Sequence, residues 1–227
     1  MRKDTKKVKK TTIQDEKMTS KPDEKGPFHI EGHIKIFDPQ SGEIYINKRN
    51  AIHYENMSMA LAESLANSGQ GYIYEMAFGN GGTTVDPTGI ITYLTPNSVG
   101  TNSTLYNETY SKVVDDRSIG NTDPIRNKIE TRHVTGTNYT DIVVSCLLDY
   151  GEPSGQEAFD NVADNQSLYV FDELGLRGYD PDNTPTLSGK LLTHVIFHPV
   201  QKSLNRLVQI DYTVMLNYFE HSTNIYL

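Results

Sequence analysis

RLVQIDYTVMLNYF, residues 206–219, decides the fold. Val208, Ile210, Tyr212, Val214 and Leu216 fall on one side of an extended chain, and Leu207, Gln209, Asp211 and Thr213 on the other. Successive side chains of a strand point to opposite faces, so this period of two predicts a strand with one buried face. A slip of one residue would bury Asp211, which sets the register firmly. LLTHVIF, residues 191–197, precedes it across HPVQKSLN. The pair, about 189–198 and 206–218, is expected to form a long antiparallel hairpin. Its tip, carrying Lys202 and Arg206, is expected to be solvated or to touch a neighbour. Pro199 lacks an amide donor and is expected to mark where the first strand leaves the ladder.

Working outward, the same alternation recurs. FHIEGHIKIFD, residues 28–38, places Ile30, Ile34 and Ile36 on one side, interrupted by Gly32. PQSG then turns the chain into EIYIN, which predicts a hairpin. Met57, Leu61 and Leu65 recur every four residues with Ala60 and Ala62 beside them, so about Asn56–Asn67 is a helix. Asn56 is its expected N-cap and Asn67-Ser68-Gly69 its stop. GYIYEMAFGNGG reads as a strand with Tyr72, Tyr74, Met76 and Phe78 on one face, ending in a glycine turn. Residues 80–124 read as long polar loops with a short strand at IITYL and a helical turn near LYNETYSKVV. IETRHVT and DIVVSCLLDY supply two more strands. Strands outnumber helices and no βαβ rhythm appears. The economical fold is mostly β: an antiparallel β-sandwich with one packed α-helix and long loops, spanning 27–227.

The chain has 227 residues, a single cysteine, 14 Tyr and no Trp. Its formal charge of -8 is unevenly spread. Residues 1–25 hold nine Lys/Arg against five Asp/Glu, leaving +4; the remaining twelve against twenty-four leave -12. Residues 1–26 are therefore expected to be a flexible basic arm that orders only against a partner. The acidic body argues against nucleic acid as a partner except through that arm. No stretch approaches the ~20 apolar residues of a membrane span, and no apolar h-region follows the basic start. Cys146 alone excludes an internal disulfide and a cysteine zinc cage, which fits synthesis in a reducing cytoplasm.

Motifs for chemistry are weak. GNGGTT at 79–84 lacks the lysine and following helix of a phosphate loop, and reads as a turn whose glycines supply positive φ. His194 and His198 on one strand would stand about 13 Å apart at 3.3 Å per residue, too far for one metal ion. They read as structural. Asp115-Asp116, Asp160, Asp164, Asp172-Glu173 and Asp180/Asp182 are dense but match neither an EF-hand nor a placed carboxylate pair, and read as turn formers. No GxSxG elbow occurs, and Cys146 lies mid-strand as an inert thiol. The expectation is a non-enzymatic protein with no catalytic, metal or cofactor residues.

Five phrases are similar to virion structural proteins of large contractile-tailed (T4-like and related) bacteriophages. They are GEIYINKRNAIHYENMSMALAESLAN (42–67), IYEMAFGNGGTTVD (73–86), LYNETYSKVVDD (105–116), FDELGL (171–176) and GKLLTHVIFHPVQKSLNR (189–206). The resemblance spans about 40–216 and implies no catalytic residues. It implies a virion component, a homo-oligomer in the neck or collar, tail or baseplate, whose partners are other virion proteins. The hairpin with NAIHYENMS and its helix also resembles attachment regions of tail-fibre-like proteins. An alternative from another class is a host-surface module that binds glycans through tyrosines, and it predicts a shallow aromatic groove.

Overall fold

The strand read from 208–218 is present, and its inward face is the one its alternation predicts: Val208, Ile210, Tyr212 and Val214 are fully buried and Leu216 half-buried. The computed structural model describes residues 28–153 and 168–218, and the arm expected at 1–26 lies outside them. In chain order the elements are β1 (Phe28–Phe37), β2 (Ile44–Ile52), α1 (Tyr54–Leu65), β3 (Ile73–Gly79), β4 (Thr83–Val85), β5 (Ile91–Tyr93) and β6 (Glu108–Val113). They continue with β7 (Lys128–His133), β8 (Tyr139–Leu148), β9 (Leu168–Tyr179), β10 (Ser188–Leu191), β11 (Thr193–Ser203) and β12 (Val208–Tyr218). Over the described residues the protein is mostly β, with one helix and a strongly curled antiparallel sheet.

The main sheet runs β6-β3-β9-β11-β2-β1-β12-β8-β7, with β10 beside β9. β2 is the corner. Its residues 44–50 pair with β1, and its last two, Ala51 and Ile52, pair with β11. The curl brings the far strands together. Lys112 on β6 donates to the carbonyl of Leu147 on β8 at 2.8 Å, so opposite ends of the strand order are bridged. Both layers face one core. One half contributes aliphatics, including Ile30, Ile34, Ile36, Val144, Leu148 and Ile210. The other contributes aromatics: Phe171 meets Phe78 edge-on at 5.4 Å, Phe197 edge-on at 5.8 Å and Tyr169 stacked at 5.5 Å.

Several local expectations change. β11 and β12 do not pair with each other: β11 joins β9 and β2, whereas β12 joins β1 and β8. The link between them crosses from one layer to the other, a connection that alternation cannot distinguish from a hairpin. Lys202 is therefore no solvated tip. It is fully buried, and its ammonium donates to the carbonyls of Asp149, Glu152 and Ser203 at 2.8–3.0 Å. Burial pushes its pKa down to about 8. Pro199 does not end β11; it lies in a bulge between Ile196 and Val200, where no ladder donor is required.

The helix starts earlier than expected. His53 is the N-cap, its Nδ1 accepting the Asn56 amide at 3.2 Å, while Asn56 lies inside the helix and is buried. Met57 and Ala60 face the core, Leu61 packs at its margin and Leu65 is exposed. The stop is as read, with Asn67 at φ 52° and Gly69 at φ 78°. LYNETYSKVV is strand β6, not a helical turn. Gly32 does not break the inward row of β1, because it is itself buried there. The Asn50 side chain lies where its Cβ would be and donates to the buried Tyr212 hydroxyl.

Candidate functional site

β9 is the longest strand and buries almost everything it carries. Its inward residues are Tyr169 and Phe171, then Leu174 and Leu176, a change of phase in mid-strand. Asp172 and Glu173 occupy the break, buried outside the hydrophobic cluster. Buried carboxylates need donors, and the long loops supply them. Asp172 accepts the amides of Gly82 and Thr83 at 2.8 and 2.9 Å, and the Thr83 hydroxyl. Glu173 accepts the amides of Gly81, Tyr106 and Asn107 at 3.1, 2.9 and 2.8 Å, and His194 Nε2 at 3.0 Å.

This cradle fixes the loops between β3 and β6. His194 is fully buried, and its Nδ1 accepts the amide of Asn97 at 2.7 Å. That bond requires a lone pair on Nδ1, so Nε2 carries the proton and donates to Glu173. Burial alone would raise the Glu173 pKa, but the bonds from His194 and the Asn107, Tyr106 and Gly81 amides outweigh it and hold the carboxyl below the ordinary glutamate value. The glycines of GNGG serve close approach rather than positive φ. A Cβ on Gly79 would sit 2.4 Å from Glu173 Oε1, and one on Gly81 would sit 2.7 Å from the Asn107 amide nitrogen. Leu105 seals the outer face against Ala77 and Leu191.

Held on the cradle is a separate two-stranded hairpin, β4 with β5, outside the main sheet. Its turn is self-tied: Asp86 accepts the amides of Thr88 and Ile90 at 2.8 and 3.0 Å. The hairpin displays Val85, Ile90 and Tyr93, each at least half exposed. Tyr93 reaches exposed His198 at 3.3 Å. A two-stranded hairpin is marginal alone; here the bonds of Thr83 to Asp172 and of the Leu94 amide to the Gly82 carbonyl tie its base.

Chemically, the cradle is occupied with its own chain. Both nitrogens of His194 and both oxygens of Glu173 are bonded internally. Cys146 is fully buried and desolvation pushes its thiol up to about 12. Among the described residues no three His, Cys, Asp or Glu side chains gather as a metal site. Asp180 and Asn183 make the turn expected of them, accepting from Asp182 and donating to Ser188. Asp115 is buried and caps its own turn by accepting the Arg117 amide. Asp160 and Asp164 lie outside the described residues. Sequence reading missed the cradle because Asp172-Glu173 looks like a turn signal; the signal available was the apolar run on both sides of it. No family model matches the chain, and no curated protein or solved structure matches it.

Proposed function

We propose that the chain is a non-enzymatic structural subunit of a contractile-tailed phage particle, in the neck or collar, tail or baseplate, acting as a multimer against other virion proteins. The observation that carries this reading is the β4–β5 hairpin outside the main sheet, with its exposed Val85, Ile90 and Tyr93 on a hydrogen-bonded base. Apolar side chains on a hairpin with little support of its own suit burial by a neighbouring subunit. The phrases that carry the phage resemblance add support. GNGGTT, LYNETY, FDELGL and HVIFHP are distant in sequence yet meet at this one cradle, through Gly82, Asn107, Asp172, Glu173 and His194. The deciding experiment is mass spectrometry of purified particles together with a Val85→Ser/Ile90→Ser/Tyr93→Ser variant. The protein is expected in the particle at a copy number set by ring symmetry. The variant is expected to fold with an unchanged melting temperature and to fail to incorporate. Normal incorporation of that variant would remove the hairpin from the interface, and absence of the protein from particles would end the reading.

A further inference from the structure

At the C-terminal end of β9, away from the cradle at its middle, lies a groove that the assembly reading does not use. It occupies 590 Å³ between the end of α1, the start of β3 and the loop after β6. Three tyrosines line it. Tyr72 and Tyr179 stack at 4.8 Å with an interplanar angle of 11°, and Tyr74 meets Tyr179 edge-on at 5.2 Å. Beside this aromatic wall stand Glu63, Asp115 and Arg117, the last two paired at 3.4 Å. A second pocket of 220 Å³ adjoins it, sharing Glu63, Gln70 and Tyr179.

The smaller pocket is lined by Asn56, 1% exposed. Its Nδ2 donates to the Leu191 carbonyl at 2.9 Å, which fixes the amide orientation. Its Oδ1 then accepts nothing within the protein. A buried acceptor without a donor is costly, and a hydrogen-bond donor entering beside Asn56 would relieve it.

We propose that the two pockets form one carbohydrate site, taking a short neutral oligosaccharide. A pyranose offers what the groove lacks: an apolar C–H face for the tyrosine wall, and hydroxyl donors for Asn56 Oδ1, Glu63 and Asp115. The lining mixes acids and bases, Glu63, Asp115 and Asp180 with Arg117 and Lys190, so it offers no cluster of one sign to select a charged ligand. The inference stands independently of the assembly reading, since the groove and the β4–β5 hairpin share no residue.

The test uses the full-length protein and saturation-transfer NMR with maltotriose, cellotriose, mannotriose and chitotriose. At least one is expected to bind with a Kd of about 1 mM or tighter. Tyr72→Leu and Asn56→Ala should each weaken that binding at least tenfold, and Leu65→Ala, exposed and outside the groove, should leave it unchanged. Gln70→Ala at the rim provides a milder variant if Tyr72→Leu fails to fold, with weakening of at least threefold expected. No response to any of the four sugars overturns the proposal. So does binding that persists in folded Asn56→Ala and Gln70→Ala. Protection of the groove by purified particle proteins, with no sugar response, would also overturn it and make the groove a protein contact. That last result would leave the assembly reading intact, so the two readings fail separately.

Discussion

The two halves of the curled sheet solve the same packing problem differently. In the aliphatic half, β1 pairs with β12, and β12 with β8, through ten consecutive residues without a break. Inward residues alternate with half-buried polar ones such as Lys35 and Asp211. In the aromatic half, β9 meets β3 and β11 with shifted registers, and both faces are covered. The lesson concerns what irregularity is for. A regular ladder only closes a core. The broken ladder releases Asp172 and Glu173 from the core so that they can order a long loop.

If this contrast holds, the largest effect is expected from charging the regular half. Ile210 is fully buried between Ile36 and Cys146. Ile210→Asp leaves no donor nearby for the carboxylate, and the penalty is comparable with the whole stability of a domain, about 5–15 kcal/mol. Soluble expression is expected to be lost. Recovery of soluble protein with native circular dichroism would show that the aliphatic half is not the folding core.

The next largest effect belongs to the cradle. Glu173→Ala strands the His194 Nε2–H and three amides, and a buried donor left without an acceptor costs about 1–3 kcal/mol. The loss should appear as a lower urea midpoint. Hydrogen exchange should quicken at Gly81, Tyr106 and Asn107 while the amides of β8 and β12 change only as far as global stability does. Uniform exchange across both halves would mean that the cradle and the sheet unfold as one unit.

How much of this was legible follows the same division. Period-two patterning identified β1 and β12 with their faces, because one face of each is buried and the other partly wet, and it found β8 although Val143 and Leu147 on its second face are buried too. β9 went unread as a strand because burial on both faces erases alternation and DE resembles a turn. The absence of β11–β12 pairing was also illegible, since pairing is a long-range choice that the local pattern leaves open. The grouping of Tyr179 with Tyr72 and Tyr74 was illegible as well, since it depends on the β3–β9 register.

Acid separates the halves more gently. Glu173 is held below the ordinary carboxylate range, so its contribution is present above about pH 4.5, the unfolded value, and is lost as pH falls through the lower folded value. Glu75, on the neighbouring strand, has the opposite sign: burial raises its pKa, so it weakens the fold as pH rises through that elevated value. Urea midpoints of wild type and Glu173→Gln, taken from pH 3 to 7, should therefore converge as the solution becomes more acidic. The subtraction cancels exposed carboxylates such as Asp86 and Glu130, which are also held low. A constant gap between the curves would show that Glu173 does not change protonation in that range.

The smallest effect is expected where the regular half meets solvent. Asp211 lies opposite Lys35 on β1 and Ser145 on β8, with its side chain half-buried on the outer face. It accepts from Gln209 Nε2 at 3.0 Å and from Ser145 Oγ at 3.3 Å. Asp211→Leu removes both bonds, yet Gln209 and Ser145 are themselves only half-buried, so water can replace the lost acceptor. Leucine in turn covers part of the neighbouring strands and suits a pleated surface better than aspartate. The two changes oppose each other, and the net shift should stay within about 0.5 kcal/mol, the usual range for a surface substitution. Set beside Ile210→Asp, one residue away, it measures the contrast between the two faces of one strand. A loss of several kcal/mol for Asp211→Leu would mean that this outer face is not wet but buried against something, and a second copy of the chain would then be the first candidate to test by sedimentation.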